Sequence, residues 1–300
     1  MGQESLRGII GYLVTPFTDH SVDVPMLRNL IDRLLQSNVH AIAPLGSTGE
    51  AAYLTDDEWS LVAAETCQRV DGALPTIIGI AEVSTAAAVE KARISEQVGA
   101  SAIMVLPVSY WNIDDAEIFG HFAAIAEATT LPIMAYNNHA TSGTDMSPEL
   151  ICELFREIDN VEMIKESSGD LNRMKRITEL SDGQLPFYNG CNPLAHDAFS
   201  LGASGWCTAA ANLIPKLNLE LYRYHQEKNQ EKAQLAFQKQ LPLLECIMKK
   251  SLPATIKSGL RSLGCDVGDP RLPLKPLASD HAERLAQILV RLTNPVPSYS

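Results

Sequence analysis

The sequence predicts an α/β fold, a (β/α)8 TIM barrel followed by a C-terminal helical domain, and three observations carry that expectation. Eight short apolar or β-branched runs recur at intervals of about thirty residues. Helical patterns separate them, and the strand signals stop after about residue 215. The runs lie at 9–14, 41–45, 76–80, 102–106, 133–136, 161–165, 187–189 and 206–208. Between the first two, Leu27, Leu30, Ile31, Leu34 and Leu35 recur at helical spacing and make one apolar face. Thr55 and Glu58 form a capping box ahead of the second helix, and Ser147 supplies a capping hydroxyl before Pro148 at a first helical position. Gly99 is a natural left-handed end for the Ala-rich helix that begins near Ala86. A doubly wound open sheet is the competing architecture, but no G-x-G-x-x-G follows the first run to mark its dinucleotide site. Beyond 215 the text reads as helices at 217–228, 231–250, 253–263 and 280–292, with a Pro/Gly/Asp-rich loop at 264–276. The tail NPVPSYS is expected to fray. The catalytic barrel is assigned to 1–224 and the helical domain to 225–300.

Composition narrows the function. The 24 Lys+Arg against 36 Asp+Glu give a net charge of −12, which leaves no basic face for phosphates and argues against nucleic acid as a partner. Small molecules or further copies of the chain are the expected partners. The 6 cysteines (67, 152, 191, 207, 246, 265) contain no C-x-x-C and read as reduced thiols, which points to a cytoplasmic protein. The N-terminus has no basic start followed by an apolar core, and no apolar run approaches the roughly 18 residues of a membrane span. A soluble, unprocessed chain follows, and the opening MGQESL lacks the hydroxyl residue of a myristoylation signal. The 7 histidines are never closer than 18 residues, so no metal is expected, and no G-x-S-x-G elbow is present.

In a barrel, reactive groups stand where strands give way to loops at the C-terminal rim. Strand two ends in Gly46-Ser47-Thr48-Gly49-Glu50, a turn whose glycines let backbone approach a ligand and whose amides can hold a carboxylate or phosphate. Such a turn can equally be only a turn. Strand six ends in Lys165, on the same side as Val161 and Met163. A lysine there can snorkel to the rim or pair with a carboxylate. Desolvated, it can instead attack a keto carbon and form an imine that serves as an electron sink. Strand five ends in Tyr136, positioned to face the same mouth; an amphipathic rim tyrosine is the plain alternative. Strand four leads to Tyr110 and Trp111, an aromatic pair suited to packing or a subunit contact, while Cys191 and Cys207 read first as small buried packers.

Together these motifs are specific. GSTGE at 46–50, Tyr136 opening YNN and then TSG, and IKESSGD at 164–170 resemble the dihydrodipicolinate synthase and N-acetylneuraminate lyase family. The likeness spans essentially the whole chain, with VTPF at 14–17, GASGW at 202–206 and RLPLKPL at 271–277. The resemblance implies a class I, metal-independent Schiff-base enzyme that needs no cofactor and assembles as a homotetramer, a dimer of dimers. Lys165 matches the imine-forming lysine, and Tyr136 the tyrosine that shuttles protons. Ser47 matches the hydroxyl linking that tyrosine to a second one from the neighbouring subunit, for which Tyr110 is the candidate. Thr48 and the turn amides match the site for a 2-keto acid carboxylate, and Cys207 falls beside the bound keto acid.

The departures bear on substrate. In the synthases the strand-five loop reads approximately Y-N-V-P-x-R-T-G, and its arginine grips the carboxylate of aspartate semialdehyde. Here that position is Thr141, the proline is His139, and Asn138, His139 and Ser142 surround it with groups suited to hydroxyls. The expected activity is therefore a Schiff-base lyase, aldolase or dehydratase acting on a 2-keto acid such as a 2-keto-3-deoxy sugar acid. Dihydrodipicolinate synthase activity, with Arg173 or a neighbouring subunit as substitute cation, is the alternative. A non-catalytic keto-acid sensor is a third; Lys165, Tyr136 and Ser47 together argue against it.

Overall fold

Residues 6–293 are described by the computed structural model; 1–5, and 294–300 with the tail expected to fray, lie outside the described residues. All eight expected runs are strands: β1 (Gly8–Tyr12), β2 (Ala41–Ala43), β3 (Ile77–Ile80), β4 (Ala102–Val105), β5 (Ile133–Asn137), β6 (Val161–Glu166), β7 (Phe187–Asn189) and β8 (Gly205–Thr208). Helices cover one side of the sheet and side chains fill the other, so the strands read as near-continuous apolar runs rather than alternating ones. Every pairing among these eight is parallel, in the order β2-β1-β8-β7-β6-β5-β4-β3, and a separate antiparallel hairpin joins Phe17–Thr18 to Ser21–Val22. The ring closes between its two ends through a bridge from Ile42 to Thr76. There the Gly79 amide donates to the Pro44 carbonyl at 3.2 Å, and a β-carbon on Gly79 would stand 2.3 Å from the Leu45 carbonyl oxygen. Glycine is what lets these strands meet.

The strand ends differ from expectation for local reasons. β2 stops at Ala43 because Pro44 has no N–H to continue the ladder. β5 and β6 each gain a residue, because Asn137 stays in register with Glu166 beyond the expected ends.

The helices begin where their caps say. In α1 (Val24–Ser37) the Asp23 carboxylate accepts from the Met26 amide, and Leu27, Leu30, Ile31 and Leu34 are buried. Each such side chain contributes roughly 1.5–3 kcal/mol. Leu35, the fifth residue of the expected face, is only partly covered. The capping box of Thr55 and Glu58 opens α2 (Asp56–Val70), and Ser147 caps α5 (Pro148–Glu157). After α3 (Thr85–Gln97), Gly99 takes a φ of 83°, the left-handed turn expected of it. The outer layer is completed by α4 (Asp115–Ala126), α6 (Leu171–Leu180), α7 (Ala195–Ser200) and α8 (Pro215–Gln226). Because α8 packs on β1, it belongs to the barrel wall, and it runs through the expected 224/225 division to Gln226. Then α9 (Gln230–Met248), α10 (Leu252–Ser262) and α11 (Ser279–Thr293) form the helical region, with α10 reaching back to the turn after β2. Among the described residues no helix is long and apolar enough to cross a membrane.

Candidate active site

Alternation along β6 sends Lys165 into the barrel and Glu166 the opposite way. Both are buried, at 5% and 0% exposure. The Lys165 ammonium lies 3.7 Å from the centre of the Tyr136 ring, its register neighbour on β5, and 4.1 Å from that of Tyr12 on β1. Two aromatic faces thus hold one cation. Tyr12 reaches across the barrel, its hydroxyl donating to Met104 Sδ on β4 at 2.8 Å and hydrogen-bonding Cys207 on β8. A methyl group on Gly190, after β7, would stand 2.9 Å from Lys165 Cε and 1.8 Å from Ser167 Oγ, so only hydrogen fits beneath the lysine. Ser167 Oγ is itself buried without a hydrogen-bond partner.

The Tyr136 oxygen accepts a hydrogen bond from Asn138 Nδ2 at 2.8 Å and makes another with Ser47. Ser47 heads the single turn Ser47–Gly49, bracketed by Leu45 and Glu50 at φ values of 61° and 57°. Thr48 is buried within it. Thr15 Oγ1 donates to the Gly49 carbonyl at 2.6 Å, so the VTPF segment braces the turn from below. Glu50 Oε1 is 2.7 Å from Lys257 Nζ on α10, an ion pair off hydrogen-bonding alignment, and Oε2 accepts from the Arg271 amide at 2.7 Å.

Electrostatics divides the two tyrosines. Burial pushes the Tyr136 phenol up, but the Lys165 charge and hydrogen bonds from Asn138, Ser47 and Lys165 outweigh it, and its pKa ends below the ordinary tyrosine value. Tyr12 has no such compensation: burial first, then Cys207 and Tyr136, raise it well above that value. Burial likewise raises the Cys207 thiol, against the opposing pull of Lys165. Two titratable groups on either side of one amine are therefore driven apart.

Of the residues singled out from sequence, Lys165, Tyr136, Ser47, Thr48 and Cys207 come together at this rim. Thr141 is exposed and borders a cavity of about 600 Å³ that Ser47 also lines. Tyr110 does not reach the cluster within one chain; it and Trp111 are 84% and 77% exposed, packed edge to face. Ser142 is not free to meet a substrate hydroxyl, because Oγ bridges the Asn138 and Thr144 carbonyls and accepts from the Thr144 amide. Arg173 is engaged as well, by Glu166 at 3.3 Å and Asp145 at 3.1 Å. Sequence reasoning missed Tyr12, Ser167 and Gly190, and it did not foresee the hydrogen bond from Asn138 to Tyr136. Only Ser167 carried a signal, its place two residues after the lysine.

The sequence matches the Dihydrodipicolinate synthetase family over residues 5–292. The chain belongs to this family. Among its relatives, the 4-hydroxy-tetrahydrodipicolinate synthase of Methanopyrus kandleri is 32% identical over 96% of each chain. That of Archaeoglobus fulgidus is 34% identical over 95% of this chain and 98% of its own. A Pseudomonas aeruginosa protein assigned as a dihydrodipicolinate synthetase is 51% identical in its crystal structure, with a TM-score of 0.95 over 96% of this chain and 99% of that one. The chloride-inhibited dihydrodipicolinate synthase of Acinetobacter baumannii, solved with pyruvate, is 30% identical at a TM-score of 0.92, covering 96% of this chain and 99% of its own. Members of the dihydrodipicolinate synthetase family are class I lyases, and the barrel with its helical region is that family's fold.

Proposed function

We propose that this chain is a Schiff-base lyase acting on a 2-keto acid such as a 2-keto-3-deoxy sugar acid, by aldol cleavage or dehydration. The observation that carries the reading is Lys165 held between two tyrosines whose proton affinities are driven apart. The keto-acid carboxylate rests at Thr48 and the amides heading the turn, which have no partner inside it. Lys165, as the free amine, attacks C2; the carbinolamine loses water and leaves an imine. Tyr136 carries protons to and from that oxygen with Ser47 as its hydrogen-bonded relay, while Tyr12 keeps its proton and lines the floor. The imine then accepts the electron pair released when the C3–C4 bond breaks, or stabilises the C3 carbanion that expels a hydroxyl from C4. Cys207 lies beside the keto acid. Tyr110 of a neighbouring copy completes the relay in a homotetramer, and the protein works in the cytoplasm on a small-molecule substrate.

The substrate class follows from what faces the mouth. Thr141 presents a hydroxyl where a guanidinium would grip a carboxylate, and the nearby Arg173 is bound to Glu166 and Asp145. The buried Ser167 Oγ next to Lys165 offers a hydroxylated chain a partner. Dihydrodipicolinate synthesis from pyruvate and aspartate semialdehyde is the second reading, favoured by the names of the relatives at 32% and 34% identity. The test combines borohydride trapping with a substrate panel. Pyruvate plus borohydride should place an adduct on the Lys165 peptide and Lys165→Ala should abolish it; an adduct elsewhere overturns the assignment. For aspartate semialdehyde, the missing charged hydrogen bond of roughly 1.5–3 kcal/mol predicts at least a tenfold lower kcat/KM than in Thr141→Arg. Efficient condensation by the unaltered chain would favour the second reading.

A further inference from the structure

Asn138 follows β5 and heads the single helical turn His139–Ser142, with φ −157° and ψ 74°. Alternation along this extended stretch puts it on the side of Tyr136, two residues earlier. Its backbone is fixed: the carbonyl accepts from the Thr141 and Ser142 amides, both at 3.0 Å, and from Ser142 Oγ at 3.2 Å. The preceding residue is fixed too, with Asn137 Nδ2 donating to Asp145 at 3.0 Å and Asn137 Oδ1 accepting from the Met146 amide at 3.0 Å. The side-chain amide of Asn138 is thus delivered to the Tyr136 oxygen from a rigid frame. An N–H group can only donate, so it cannot take the Tyr136 proton, which must travel by another neighbour. It also binds a phenolate more strongly than a phenol.

We propose that Asn138 is a positioning residue that readies Tyr136 to release and retake its proton, so that this loop side chain, not the barrel alone, sets the pH range of proton transfer. The inference rests on the role given to Tyr136 above. The other groups facing the Tyr136 phenol come from different elements: Lys165 on β6, Tyr12 on β1 and Ser47 after β2, with Cys207 on β8 behind Tyr12. The lowering at Tyr136 includes the Asn138 hydrogen bond, second only to the Lys165 charge among the lowering influences. Asn138 can be changed while all of them stay.

Pyruvate serves as the probe. Once bound as an imine it loses a methyl proton to form the enamine, takes a deuteron from D2O, and is released by hydrolysis as deuterated pyruvate. Exchange is followed by NMR from pH 6 to 10, and the limb belonging to Tyr136 is the one that Tyr136→Phe removes. Asn138→Leu, of similar size but without a donor, should slow exchange about tenfold at neutral pH and move that limb up by about one pH unit. Asn138→Asp, the same shape with only acceptors, should move it further. Borohydride should still label Lys165 stoichiometrically in both variants, which also reports an intact site, and Asn138→Leu should add less than about twofold to the loss already caused by Tyr136→Phe. Profiles of Asn138→Leu and Asn138→Asp that superimpose on the unaltered chain, with Tyr136→Phe still inactive, overturn the proposal and leave the role of Tyr136 standing. A Tyr136→Phe variant with unchanged exchange would instead overturn the reading beneath it.

Discussion

Replacing Lys257 with methionine should both destabilise the protein and loosen its grip on keto acids. Lys257 and Glu50 are 2% and 0% exposed and 2.7 Å apart. Nζ also donates to the Asp269 carbonyl at 3.2 Å and lies 4.1 Å from the Phe17 ring centre. Burial depresses the lysine pKa, with the Glu50 charge opposing it. Lys257→Met leaves the glutamate charge buried without its partner, a loss of about 3–5 kcal/mol. Taking 4 kcal/mol against an unfolding entropy of about 2.1 cal/mol/K per residue over 300 residues gives a drop of about 6 °C in Tm. Because Glu50 ends the turn that carries Ser47 and Thr48, the KM for pyruvate exchange should rise as well. Adding Glu50→Gln removes the stranded charge while keeping an acceptor for the Arg271 amide, so the double variant should regain more than half of the lost Tm. Calorimetry at fixed protein concentration makes the comparison. A Lys257→Met variant within about 1 °C of the parent, or a double variant as unstable as the two losses summed, would refute the reasoning.

Two further outcomes follow from packing and from charge. Gly190→Ala forces a methyl group to 1.8 Å from Ser167 Oγ and 2.9 Å from Lys165 Cε, so borohydride trapping with pyruvate should slow by at least about tenfold; an unchanged rate would mean the lysine has room to move. His225, lowered to about 4 chiefly by burial and secondly by His196, should make stability fall with pH. The unfolded chain protonates it near 6.5, so the contribution is complete above that value and is lost as pH falls towards 4. At this half-buried site about 1–2 kcal/mol is at stake after screening, and His225→Gln should flatten Tm between pH 6.5 and 4.

The alternation of strand and helix, the caps at Thr55 and Ser147, and the strand-end positions of Lys165 and Tyr136 were legible because each is a local property of a few consecutive residues. Tyr12 was not. Within an apolar run its ring reads as one more core residue, and only closure of the barrel carries it to Met104 and Lys165. Asn138 reads as a polar loop residue facing the mouth, and whether its amide meets a substrate or Tyr136 depends on how Ser142 and Met146 fix the backbone beside it. The clamp on Glu50 joins residues 207 positions apart or more, which no short motif encodes. Arg173 shows the converse: the sequence supplies a cation near the site, and only the folded chain reveals that Glu166 and Asp145 already hold it.

The loop that carries Trp111 gives the molecule an optical label of its own. Of the 3 tryptophans, Trp59 and Trp206 are 1% and 0% exposed, while Trp111 stands 77% open to water beside Tyr110. An aqueous quencher such as iodide therefore reaches one indole and leaves two dark to it. Whatever comes to lie over this loop, whether a second copy of the chain or a ligand, withdraws that indole from the quencher and shifts its emission to the blue. The unlabelled protein can thus report, at any concentration where its fluorescence is seen, whether Tyr110 faces solvent or a neighbour.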